Sequence, residues 1–140
     1  MAAAAPGLAI LVAEDNAISR EILVHQLRIL GHEAVAVSDG GEALRAWRAG
    51  DFALLLTDLE MPVLSGCELA RLIRAGTRRA DAPIVLLTAG SGSADTAPPE
   101  AAVDEVLQKP LSMTTLCALL DRWFGPTLPV EPDPALPEAA

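Results

Sequence analysis

The chain has 140 residues, 51% of them apolar, and ten Lys plus Arg against nineteen Asp plus Glu, a net charge of −9. That length and apolar share suit one compact domain with its own core, and the acidic balance leaves no basic stripe to neutralise nucleic-acid phosphates. No apolar run approaches the roughly twenty residues a membrane helix needs, so the segment is expected to be soluble and cytoplasmic, with neither nucleic acid nor membrane as a direct partner.

The opening residues 1–7 are alanine-rich, broken by Pro6-Gly7 and without a basic leader, so they read as a linker rather than a signal peptide. The first apolar run, "LAILVA" (Leu8 to Ala13), ends in Glu14-Asp15. A helical pattern covers about Ala17 to Leu30 and stops at Gly31. His25 on it and His32 just after it are expected on the surface. "EAVAV" (Glu33 to Val37) is a second strand, and Asp39 caps a helix over about Gly41 to Ala49 that Gly50 ends.

"FALLLT" (Phe52 to Thr57) is the third strand, followed by the carboxylate of Asp58 and then by Met61-Pro62, which bends the chain away. Ser65 caps a helix from about Gly66 to Ala75, stopped by Gly76, and "PIVLLT" (Pro83 to Thr88) is the fourth strand. The stretch "AGSGSADTAPPEAAV" follows, where a full helix would complete the pattern. Pro99 can open a short helix but Pro98 bars a longer one upstream, so this fourth helix is expected to be shortened or irregular. "DEVLQ" (Asp104 to Gln108) leads into Lys109-Pro110, and Ser112 caps a helix over Met113 to Phe124, stopped by Gly125. Residues 125–140 hold five prolines and no periodicity, the pattern of a disordered tail. Trp47, Trp123 and Phe124 fall at helical spacing with leucines and read as core or interface packing, and Cys67 and Cys117, without metal-ligand spacing, as small buried thiols.

Five strands joined by helices imply right-handed crossovers and an α/β doubly wound parallel sheet, since continuous apolar runs mark strands covered on both faces. Ligands of such sheets bind beyond the carboxyl ends of the strands. In the order 2-1-3-4-5, Glu14, Asp15 and Asp58 share one pocket, with Thr88 and Lys109 at neighbouring strand ends. Carboxylates crowded together raise one another's pKa unless a cation intervenes. An all-oxygen site that leaves positions open suits Mg²⁺, and with Lys109 as a fixed positive charge it suits phosphoryl transfer to a carboxylate.

"VAEDN", "LLLTDLEMPVLSG", "PIVLLTA" and "VLQKP", in this order and spacing, resemble the receiver domain of two-component response regulators, over about Leu8 to Phe124. "EDNAISREIL", "QLRILGHEAVAVSDGGEAL" and "MPVLSGCELARLIR" are most similar to receivers at the C-terminal end of hybrid sensor histidine kinases. The resemblance implies a flavodoxin-like fold, with Asp58 as phosphoacceptor and Glu14 and Asp15 as the acidic pair serving Mg²⁺. It further implies that Glu60 offers its backbone carbonyl to the metal, that Thr88 bonds a phosphate oxygen, and that Lys109 is the active-site lysine, held by a cis bond to Pro110. Histidine kinase and histidine phosphotransfer domain are the implied partners, in a phosphorelay, with catalysis limited to the domain's own phosphorylation and dephosphorylation.

One departure stands out. The family's usual aromatic three residues before the lysine is Val106 here, so the usual rotamer switch has no ring. A free-standing single-domain regulator and a pseudo-receiver that only binds partners are alternatives. An aspartyl-phosphate phosphohydrolase is disfavoured, because the residue two after Asp58 is Glu60 rather than a second Asp, and no cap domain is present.

Overall fold

The computed structural model describes residues 7–76, 81–88 and 102–125. In chain order the elements are β1 (Ala9–Ala13), α1 (Ala17–Ile29), β2 (Glu33–Val37), α2 (Gly40–Ala49), β3 (Leu54–Asp58), α3 (Gly66–Ala75), β4 (Ile84–Thr88), β5 (Glu105–Gln108) and α4 (Met113–Phe124). The five strands form one parallel sheet in the order β2-β1-β3-β4-β5. Class, order and parallel sense match the sequence expectation. The expected irregular helix between Thr88 and Asp104, most of the linker over residues 1–7 and nearly all of the tail over residues 125–140 lie outside the described residues.

Why the order puts β3 at the centre, between β1 and β4, is visible in their composition. β3 and β4 are buried along their whole length and β1 almost so, with no polar side chain before the terminal residues, as strands sandwiched between two helical layers require. One layer packs Leu23 and Leu27 of α1 and Leu116, Leu119 and Leu120 of α4 against Ile10, Leu54, Leu56 and Val85. The other packs Trp47 of α2 and Leu69 and Ile73 of α3 against Leu11, Leu55 and Ile84. Alternation along each strand thus feeds two separate cores.

Element ends differ from expectation by a residue or two, each time for a local reason. Phe52 is not in the strand; its ring stacks on Trp47 at 5.9 Å and leaves β3 to begin at Leu54. Asp104 is not in β5, because its carboxylate turns back to accept the Ile84 amide at 2.8 Å and the Arg74 guanidinium at 2.6 Å. β3, conversely, runs one residue further than expected, so Asp58 itself is paired in register with Leu87. The caps at Asp39, Ser65 and Ser112 form as expected, Ser65 within a complete capping box with Glu68.

His32 corrects the sequence reading. It is 5% exposed, because the left-handed turn at Gly31 (φ 94°) folds the ring inward, where Nδ1 accepts the Leu8 amide at 3.0 Å. Burial lowers its pKa, which keeps the ring neutral and the Nδ1 lone pair available. His25 is exposed, as expected. Cys67 is buried but Cys117 only half-buried, and Trp123 lies at the margin, its indole donating to Glu105 at 3.0 Å. No helix among the described residues is long and apolar enough to cross a membrane.

Candidate phosphoacceptor and metal site

Three strand ends build the site. β1 is followed at once by Glu14, whose amide still bonds to the Val37 carbonyl at 3.1 Å, so the side chain leaves the sheet in a direction fixed by the ladder. Glu14 is 1% exposed. β3 ends in Asp58, 3% exposed, and the next amide, Leu59, bonds to the Leu87 carbonyl at 3.0 Å. β5 leads into Lys109, whose amide bonds to the Thr88 carbonyl at 2.7 Å ahead of a cis bond to Pro110.

These backbones converge three acids and one cation. Lys109 Nζ donates to Asp58 Oδ1 at 2.6 Å and to Glu14 Oε1 at 3.1 Å. Glu14 Oε2 accepts the Asn16 amide at 3.1 Å. Carboxylate oxygens of Glu14, Asp15 and Asp58 all lie within 4.8 Å of one another, with Asp15 the exposed member. Thr88 is buried at the end of β4, its hydroxyl directed to the Leu107 carbonyl at a long 3.5 Å. Glu60 is exposed in the bend two residues after Asp58. Val106 occupies β5 opposite Leu86.

Charge balance explains the proton affinities. Burial pushes the Asp58 carboxyl up to about 7, the adjacent Glu14 carboxylate pushes the same way, and Lys109 only partly opposes them. Burial would raise Glu14 too, but its hydrogen bonds with Asp58, the Asn16 amide and Lys109 hold it below the ordinary value. Lys109 is disfavoured as a cation by burial, yet the two carboxylates raise its pKa overall. One ammonium among three carboxylates leaves negative charge in excess. A hard divalent cation fits that excess and the all-oxygen donor set, two of whose members are buried and aimed by backbone bonds. Asp58 Oδ1 is taken by Lys109, so the carboxylate has its other oxygen to offer.

The close approach of α3 completes the frame. A Cβ on Gly66 would stand 2.3 Å from the Asp58 carbonyl oxygen, so only glycine lets α3 begin beneath the end of β3. Sequence reasoning did not find Arg20, whose Nη1 donates to the Glu14 carbonyl at 2.9 Å, or Gln26, whose Nε2 donates to the Leu111 carbonyl at 2.9 Å. Both are half-buried polar residues of α1 whose partners are backbone carbonyls, so no residue type elsewhere in the sequence marks them. Between α1 and the Lys109-Pro110 segment lies a cleft of about 380 Å³, lined by Ser19, Ile22, Gln26, Lys109 and Leu111 among others.

Similarity to known proteins runs along nearly the whole described chain. The family described as "Response regulator receiver domain" matches residues 10–121. The chemotaxis protein CheY homolog of Campylobacter jejuni is 31% identical over 121 residues, covering 83% of this chain and 92% of that protein. Among solved structures, the receiver domain of the sensor histidine kinase PA1611 from Pseudomonas aeruginosa superposes with a TM-score of 0.77 at 33% identity, covering 85% of this chain and 98% of that one; it carries a magnesium ion coordinated in its active-site cleft. The receiver domain of Ssk1 from Saccharomyces cerevisiae, crystallised with the histidine phosphotransfer protein Ypd1, gives 0.75 at 29% identity, covering 91% and 96%.

Proposed function

This chain belongs to the response regulator receiver domain family of two-component signalling, and on that premise we propose that it accepts a phosphoryl group from a phosphohistidine onto Asp58 and so switches a protein-interaction surface. The observation that carries the reading is the buried Asp58 carboxylate, bonded to Lys109 at 2.6 Å with Glu14 and Asp15 oxygens within 4.8 Å. Glu14, Asp15, Asp58 and the Glu60 carbonyl would hold Mg²⁺, which when bound neutralises charge on the phosphoryl oxygens.

The chain's own groups do the rest. Lys109 fixes one Asp58 oxygen and thereby the plane of the carboxylate, so that the other is presented to the open strand end. As an Asp58 oxygen bonds to phosphorus, the phosphorus–nitrogen bond of the phosphohistidine breaks and the imidazole leaves as a neutral group once protonated. Lys109 then has a phosphoryl oxygen to pair with, and Thr88 at the end of β4 donates its hydroxyl to another. Burial of Asp58 and Glu14 keeps the pocket in low dielectric, where these fixed charges act most strongly.

The setting we propose is the receiver of a hybrid sensor histidine kinase in the cytoplasm, exchanging phosphoryl groups with a histidine phosphotransfer domain; the similarity to the PA1611 and Ssk1 receivers supports it. The match to nearly the full length of a CheY homolog favours, as a second reading, a free-standing regulator. Incubation with Mg²⁺ and acetyl phosphate is expected to add one phosphoryl mass, mapped to Asp58 and abolished in Asp58→Asn. Unaltered labelling of that variant would refute the assignment.

A further inference from the structure

The first turn of α1 is tied to the acidic pair at several points. Asn16 caps the helix through Oδ1 to the Ser19 amide at 2.9 Å and gives its own amide to Glu14 Oε2 at 3.1 Å. Arg20, bonded by its amide to the Asn16 carbonyl at 2.9 Å, returns its guanidinium to the Glu14 carbonyl, also at 2.9 Å. That carbonyl lies past the last residue of β1, beyond the sheet ladder, and belongs to the peptide that joins Glu14 to Asp15.

From this geometry we infer that Arg20 is a positioning residue for the metal cradle: by fixing the Glu14–Asp15 peptide it sets the aim of the Asp15 carboxylate. Asp15 needs such a device. Glu14 and Asp58 are buried and held by Lys109, whereas Asp15 is exposed and its carboxylate has no hydrogen-bond partner among the described residues. Among the described residues, the one handle on its direction is its backbone. The inference rests on the proposed Mg²⁺ site and extends it to a residue outside the ligand set.

Arg20 also carries a positive charge beside three acids, and the two roles oppose each other in sign. As a charge it repels a divalent cation, so its removal tightens binding. As a positioning group it keeps a ligand preorganised, so its removal weakens binding. The guanidinium spends its charge-assisted bond on the neutral Glu14 carbonyl rather than on a carboxylate, which marks it as a backbone clamp and not as a counter-charge to the acids. The sign of the change in Mg²⁺ affinity when it is removed separates the two roles.

The test is a Mg²⁺ titration of the metal-free protein followed by amide NMR shifts, on wild type, Arg20→Met, Arg20→Lys and Arg28→Ala. Arg20→Met keeps the aliphatic stem and loses donor and charge; its Mg²⁺ affinity is expected to fall about tenfold, the low end for groups that orient metal ligands. Arg20→Lys, which keeps a donor, is expected to stay nearer wild type, and Arg28→Ala, which removes an exposed charge from the same helix, to match it. Without metal, exchange of the Asn16 amide should quicken in Arg20→Met while the melting midpoint stays put. Equal or tighter Mg²⁺ binding by folded Arg20→Met would overturn the inference and leave the metal site standing. Absence of Mg²⁺ binding by wild type would instead remove the site on which it rests.

Discussion

At the scale of single residues, the site is a balance between burial and pairing. Asp58 has its pKa raised from 3.8 to about 7, so between those values the folded protein holds a proton that the unfolded chain has released. Stability therefore falls as pH rises through that window, by at most about 4 kcal/mol, less whatever the lowered pKa of Glu14 returns. Asp58→Asn removes the ionisation; in metal-free buffer its advantage over wild type is expected to be larger at pH 8 than at pH 5 by urea denaturation, and a constant gap would count against the raised value. Val63 is strained in another way: a β-branched residue at φ 74°, 74% exposed, with little burial to offset the cost. Val63→Asn is expected to raise stability by about 1 kcal/mol, read from the urea midpoint. The acids and Lys109 were legible because ionisable groups at the ends of apolar runs are anomalous in any sequence. His32 and Arg20 were not, since their roles depend on a reversal at Gly31 and on a backbone carbonyl that no residue pattern encodes.

At the scale of elements, the β3–α3 junction decides where Asp58 stands. The Gly66 amide bonds to the Leu59 carbonyl at 2.8 Å, and the capping box of Ser65 and Glu68 starts α3 directly afterwards. A methyl at Gly66 would meet the Asp58 carbonyl at 2.3 Å and Leu86 Cδ2 at 2.6 Å, both in tightly packed surroundings. Gly66→Ala is expected to cost about 2 kcal/mol or more and to lower the phosphorylation rate, since α3 can move only by dragging the end of β3. Gly76 makes the contrast: at φ −88°, with nothing nearer than 3.5 Å, its change to Ala should stay within about 0.5 kcal/mol. Both glycines read alike in the sequence, as punctuation around a helix. Helix starts were legible from Asp39, Ser65 and Ser112 because side-chain caps are local chemistry; strand ends at Phe52 and Asp104 were not, because an aromatic stack and a long-range ion pair set them.

At the scale of the whole molecule, the single sheet between two helical layers places α1 alongside both the acidic pair and the Lys109 loop, and that placement bears on how a partner reaches Asp58. Parallel strands and their two covered faces were readable from apolar runs without alternation, which is a property of the entire sheet. What those runs left open is the outer surface. There α1 exposes Ile18, Ile22 and Ile29, at 71%, 54% and 60%, on spacings of four and seven that align them on one side of the helix. A protein donor must bring an imidazole nitrogen to Asp58 and so covers the ground beside the cleft, which Ile22 and Lys109 both line. A small donor such as acetyl phosphate needs none of that surface. Ile22→Glu, at an exposed position where folding has little to lose, is therefore expected to slow transfer from a phosphorylated histidine phosphotransfer domain by about tenfold, the weight of one interface anchor. Labelling by acetyl phosphate should remain within about twofold of wild type, because the strand ends that hold the acids are untouched. Equal slowing in both assays would mean that the substitution acts on the site itself, through α1 and its bonds to Glu14 and Leu111, rather than on the docking of a partner.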